Sequence, residues 1–209
     1  MNATAVTIAL AFVSYLATYF NSVRLSQRQE RLSRVNRQLS DFYGPLFALV
    51  EANTRIFDTF MERTATRPDG RSPFAAGGEQ PTNAELAEWR LWLSTVFLPN
   101  IRAMRDIVVT KADLLAESQV PQVLLELSAH VSGYEIAEAK WERGDYAPQH
   151  HLSGVPYPSE GLARYARQSF IRLKQEQGRL LGRRGRRVAQ PVDDAAGSVR
   201  WRRVGPQAE

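Results

Sequence analysis

Residues 23–63 read VRLSQRQERLSRVNRQLSDFYGPLFALVEANTRIFDTFMER, and their spacing decides the fold. Leu25, Leu32, Leu39, Leu46 and Phe60 recur in steps of seven or fourteen. Val35, Phe42, Leu49 and Ile56 form a second row offset by three. Nine of the twelve positions on these two rows are apolar, with Arg28, Asn53 and Arg63 the exceptions. A stripe sustained this long predicts a helix with a seam for other helices. Gly44-Pro45 interrupts it. Proline lacks the backbone N–H and crowds the preceding turn, so a kink is expected there, or a new helix starting at Asp41 or Gly44.

Downstream, three more amphipathic helices are expected and no strand. Residues 64–82, TATRPDGRSPFAAGGEQPT, have loop composition. Thr82-x-x-Glu85 is a capping box that opens the second helix, whose inward face is Leu86, Trp89, Leu93, Val96, Phe97, Ile101, Met104 and Val108. Pro99 should bend it. Ser118 and Pro121 suggest the start of the third helix, with Val123, Leu124, Leu127, Val131, Tyr134 and Trp141 inward and Gly144 as its stop. Residues 145–158 are irregular. Ser159 should cap the fourth helix, which faces inward through Leu162, Tyr165, Phe170, Leu173 and Leu180. The default packing for four such helices is an up-down antiparallel bundle.

Upstream, residues 3–20 read ATAVTIALAFVSYLATYF, and the first charged side chain is Arg24. As a helix, residues 3–23 span about 31 Å, enough for a hydrocarbon core of ~30 Å. The segment is only moderately apolar. Thr4, Thr7, Ser14, Thr18, Asn21 and Ser22 interrupt it, although hydroxyls can bond their own helix. Tyr15, Tyr19 and Phe20 gather near the arginine side, where aromatic rings suit a headgroup boundary. Arg24, Arg28, Arg31, Arg34 and Arg37 follow, with Glu30 the one acid among them. This asymmetry predicts a single-pass anchor in an inner, cytoplasmic membrane, with the N-terminus outside and the C-terminal domain in the cytoplasm. A cleaved signal peptide fits less well, because the start carries no Lys or Arg and the exit YFNSVRLSQR lacks a small-residue cleavage site.

The expected organisation is therefore an all-α chain: a transmembrane anchor over 1–23, a basic juxtamembrane stalk over 24–37, a helical bundle over 38–181 and a disordered basic tail over 182–209. The absence of cysteine excludes disulfides and thiol chemistry. The net charge of +5 is unevenly placed. The two ends are each strongly basic, whereas residues 38–181 are mildly acidic. A nucleic-acid-binding fold concentrates positive charge on the fold itself, so this distribution argues against one.

The catalytic motifs for nucleotide, serine-hydrolase and zinc-protease chemistry are missing from the sequence. Glu88, Asp106, Asp113, Glu126, Glu135 and Glu138 read as solvated helix faces. His150 and His151 read as loop residues and His130 as a partly buried helix residue, with no metal or other cofactor implied. The candidate functional residues are instead a membrane-surface set. It comprises Arg24, Arg28, Arg31, Arg34 and Arg37 in the stalk, with Arg183, Arg184, Arg186, Arg187, Arg200, Trp201, Arg202 and Arg203 in the tail. Arginine and tryptophan suit anionic lipid headgroups. Leu25, Leu32, Val35 and Leu39 offer a seam for a homodimer, with Asn53 a register-setting polar position if the stripe pairs between chains. Trp89, Trp92 and Trp141 are expected in the core, with Trp92 one step off the inward stripe. Together these features suggest a non-enzymatic membrane-anchored module that binds an unidentified protein partner, through the 64–82 loop, the 145–158 loop or the tail. The alternatives are an enzyme acting on a lipid or membrane-proximal substrate, or a nucleic-acid or anionic-lipid tether working through the basic tail.

Overall fold

The computed structural model describes residues 3–65, 72, 74, 80–147, 151 and 153–182, with side chains described from Leu10 onward. Every regular element among them is helical, and no strand occurs. The first rod is continuous. Helix α1 (Ala3–Arg37) passes through a π turn (Gln38–Tyr43) into α2 (Gly44–Arg63), about 90 Å in all at ~1.5 Å per residue. The second rod repeats the pattern: α3 (Asn83–Trp92), a π turn (Leu93–Phe97) and α4 (Leu98–Thr110). Helices α5 (Gln122–Glu142) and α6 (Ser159–Leu180) complete the set.

Each π turn ends two residues before a proline, Pro45 or Pro99. In a regular helix the proline ring would strike the carbonyl four residues back. The widened turn uses longer bonds instead, Gly44 N–H to the Leu39 carbonyl and Leu98 N–H to the Leu93 carbonyl. The helical backbone thus runs through both prolines by way of a π turn, with no separate helix start at Asp41 or Gly44. At Gly44 an added Cβ would collide with the Leu39 carbonyl oxygen, so glycine is required there.

Helix ends follow local chemistry. Thr82 accepts from the Glu85 N–H while Glu85 accepts from the Thr82 N–H, closing the expected capping box. Helix α5 stops in a Schellman motif: Gly144 turns at φ +78°, its N–H reaches the Trp141 carbonyl at 2.9 Å, and Asp145 N–H reaches Lys140 at 3.0 Å. Pro121 holds the cap position of α5, at the start that Ser118 and Pro121 suggest. One expected cap is displaced: Pro158 holds the cap position of α6, leaving Ser159 as the first helical residue.

The core draws on every rod: Val35, Phe42, Leu46, Phe60, Leu93, Ile101, Met104, Leu124, Leu127, Val131, Leu162 and Leu173 are all buried. Helix α4 runs antiparallel to α5, as the pairs Arg102–Glu138 and Arg105–Glu135 show by their opposite numbering. Helix α6 runs antiparallel to the first rod, through Glu51–Arg167, Asn36–Gln177 and Arg31–Glu176. The last connection is not a simple up-down turn. After α5 the chain doubles back along it. His151 lies against Trp141, Ser153 against Gly133, and the Val155 carbonyl against His130. Helix α6 then begins with Gly161 beside Val123, in the first turn of α5.

Among the described residues no helix is long and apolar enough to cross a membrane. The expected span over 1–23 therefore has no support from the fold, and the side chains of its first part, residues 3–9, lie outside the described set. The tail from Arg183 onward also lies outside the described residues.

Candidate interaction surface

From Leu10 to Leu25 most side chains of α1 are exposed. Leu10, Phe12, Val13, Tyr15, Tyr19, Phe20 and Leu25 are each more than half exposed, and they point to all sides of the helix. No described part of the chain packs over them. The bundle begins where α6 meets α1. Arg28 Nε donates to the Leu180 carbonyl at 2.8 Å, capping the C-terminal end of α6, where the helix dipole favours positive charge. Arg31 Nε donates to Glu176 at 2.6 Å, and Gln177 Nε2 donates to Asn36 at 2.8 Å. Residues 28–37, expected as free stalk, thus have α6 alongside. Arg24, Arg34 and Arg37 are exposed.

The four seam candidates divide. Val35 is 3% exposed and Leu39 is likewise buried, both within the core of this one chain. Leu32 is half-buried and Leu25 is exposed. Asn53 is buried, with no hydrogen-bond partner on its Oδ1. A groove of about 690 Å³ runs between α1 and α6. Leu32, Leu39 and Phe170 form its apolar part, and Asn36, Arg37, Lys174 and Gln177 are among its polar lining. No carboxylate or imidazole lines it.

The described residues of the two loops expected to face partners include several that pack on the bundle. Within 64–82, Ser72 is buried and bonds Thr64, while Phe74 packs on Phe60 and Trp89. The remainder of that loop beyond Ala65 lies outside the described residues until Gln80. Trp92 is half-buried against Phe60, and its Nε1 donates to Glu88. It belongs to the same aromatic end as Trp89, Phe57 and Phe97.

His151, read from sequence as a solvated loop residue, is 1% exposed. Its Nδ1–H donates to the Ala147 carbonyl at 3.0 Å, so its Nε2 is the acceptor for Arg90 Nη1. Trp89 Nε1 donates to the His151 carbonyl at 3.1 Å, and the Arg90 guanidinium lies 4.4 Å over the Tyr146 ring. This imidazole is a neutral pin between rods. His130 is also buried, its Nδ1–H donating to the Val155 carbonyl at 2.6 Å, and burial pushes its pKa below the ordinary value. His150 lies outside the described residues. No sequence signal marked His151, because Trp89, Arg90 and Trp141 are brought to it only by the doubled-back loop.

A second polar cluster joins three elements. Tyr43 and Tyr165 both donate to Glu117 Oε2, at 3.0 and 3.1 Å. The Ala116 N–H donates to the Tyr43 hydroxyl, and Arg172 donates to Glu117 Oε1 at 3.2 Å. Burial raises the pKa of both phenols, which keeps them as donors. The cluster fastens the 115–121 segment to the bundle. The other carboxylates considered from sequence sit in surface contacts. Glu135 and Glu138 pair with Arg105 and Arg102, Glu126 takes a bond from Gln122, and Asp106 lies near Arg105. Among the described residues, no group of three or more His, Asp or Glu is placed to hold a metal ion. Comparison with family models, curated proteins and solved structures found no match to this chain.

Proposed function

We propose that the chain is a membrane-anchored helical module, held by the N-terminal half of α1, whose bundle binds another protein as a scaffold or regulator on the cytoplasmic side. The observation that carries the anchor is the set of exposed apolar and aromatic side chains between Leu10 and Leu25, among which Ser14, Thr18, Asn21 and Ser22 also lie. Apolar surface left in water costs about 25 cal/mol per Å², and patches of this extent mark sites that something covers. A covering membrane also suits residues 3–9, which are uncharged, and the arginines that begin at Arg24. The interaction role is supported by the groove between α1 and α6, where Leu32, Leu39 and Phe170 lie beside Arg37 and Lys174 with no carboxylate or imidazole.

Alkaline carbonate extraction of membranes bearing the full chain tests the anchor. Retention in the pellet is expected, and release of the intact chain into the supernatant rules it out. Cytoplasmic orientation is tested by protease added to sealed, right-side-out cells. The bundle should survive until the membrane is opened. Affinity capture from solubilised membranes, with and without residues 183–209, tests the scaffold role; a reproducible partner is expected, and its absence from both preparations counts against that role.

A further inference from the structure

The groove between α1 and α6 has walls of the kind against which helices pack. Its α1 wall is the row Gln29, Ser33, Asn36 and Ser40. These residues are three or four apart, so the row follows the helix axis for about 16 Å at ~1.5 Å per residue. The α6 wall is Phe170, Lys174 and Gln177, again four and three apart. Rows of this spacing are the ridges of helix packing, and about three turns of a further helix match their length. Leu32, Leu39 and Phe170 supply an apolar floor. Phe170 is fixed there by stacking on Phe47, with 4.9 Å between ring centres. Leu39 is buried by this chain alone, whereas Leu32, seven residues earlier on the same stripe, is only half-buried.

Charge separates the candidate occupants. On the same two helices, Arg31, Arg167 and Arg172 are paired with Glu176, Glu51 and Glu117. Arg37 and Lys174 lie in the groove, both are exposed, and among the described residues neither is paired with a carboxylate. Lys174 Nζ donates only to the neutral amide oxygen of Gln177, at 2.8 Å. Asp41, close in sequence, takes the Ser40 hydroxyl and is not part of the lining. Two cations without counter-charges therefore stand beside an apolar floor. A second copy of the chain docked through this face would set them against the arginines of its own α1, and like charges facing each other suppress a contact. We propose that the groove takes one amphipathic helix of a partner protein, with leucine-like side chains on the floor and Asp or Glu along its flanks against Arg37 and Lys174. The proposal rests on the interaction role above, which it deepens by stating the partner's chemistry. Helix-in-groove recognition uses anchors at i, i+3, i+4 and i+7, the spacing that the two walls present. The apolar floor holds the helix, and the charges set its orientation and speed its encounter.

The test uses the full chain in neutral maltoside micelles and two fluorescent helical peptides of about five turns. Both carry the same leucine stripe, flanked by Glu in one and by Lys in the other. Fluorescence anisotropy should show the Glu peptide binding about tenfold tighter, with the difference shrinking in high salt. Arg37→Glu combined with Lys174→Glu should reverse the preference, and Leu32→Gln should weaken both peptides. Circular dichroism checks that these variants fold. Equal binding of the two peptides, or binding of neither, overturns the proposal. A preference that ignores the double charge variant overturns it too. A dimer in sedimentation without peptide, dissolved by Leu32→Gln, would give the groove to a second copy. Loss of Glu-peptide binding in micelles containing phosphatidylglycerol would give it to headgroups. Either result overturns the partner helix. Affinity capture of the same partner by the parent and by the double charge variant overturns the groove while leaving the scaffold role standing.

Discussion

Phe60 shows how much one side chain can concentrate. It is fully buried and meets Phe57, Phe74, Trp89, Trp92 and Phe97, tying the end of α2 to α3, the second π turn and the 64–82 loop. Phe60→Ala should cost about 3–5 kcal/mol, read as a lowered denaturant midpoint at unchanged slope. His130 makes a prediction of another kind. Burial lowers its pKa, so the native state resists the proton that the unfolded chain accepts near 6.5. The unfolded state binds more protons below that pH, so this contribution to stability is complete above about pH 6.5 and is lost as the pH falls through it. His130→Asn keeps a donor for the Val155 carbonyl and removes the titration. Denaturation midpoints at pH 7.5 and pH 5 should therefore differ less in the variant than in the parent; equal losses would rule out His130 as a source. The sequence placed Phe60 on the inward stripe and His130 as a partly buried helix residue; the partners of each were not legible, since they come in part from loops without periodicity.

At the scale of elements, the π turns explain how a stripe interrupted by Gly44-Pro45 still makes one rod. Gly44→Ala places a methyl group against the Leu39 carbonyl, a backbone atom that cannot swing away. The expected cost is about 1–3 kcal/mol by chemical denaturation. A neutral or stabilising result, as glycine-to-alanine gives in an ordinary helix, would mean that the turn is not held as described. The helices themselves were readable in advance because helical burial repeats with the backbone: Leu86, Leu93, Ile101, Met104 and Val108 fall where the 3.6-residue period puts them. Thr82 and Gly144 were readable because capping is a short-range affair of hydrogen bonds. The π turns were not, because a proline reports only the lost N–H and the steric clash, and either a kink or a wider turn answers them. The return of residues 145–158 along α5 was hidden for a related reason. Its anchors, His151 to Arg90 and Ser153 against Gly133, are long-range contacts that leave no period behind.

At the scale of the molecule, the first rod divides into a part that the bundle needs and a part that it does not. Every described buried residue lies at Val35 or later, and Arg28 hydrogen-bonds the last turn of α6. A chain starting at Val23 loses no core side chain, no α6 cap and no ion pair to Glu176. Its unfolding free energy should match that of the full chain within about 0.5 kcal/mol, the range of surface changes. It should also lose the tendency to self-associate in detergent-free buffer, because the side chains from Leu10 to Phe20 are gone. A chain starting at Gln38 is different. It loses Val35, the Arg28 cap and the Arg31–Glu176 pair, and it uncovers the last turns of α6. Burial of one valine alone contributes about 1.5–3 kcal/mol, so this chain should be less stable by at least about 2 kcal/mol. Denaturation with circular dichroism, and sedimentation of the same three samples, distinguish the cases. If the chain from Val23 fell as far as the chain from Gln38, the bare rod would be part of the folded core, and some cover for Leu10 to Phe20 would have to come from the bundle itself.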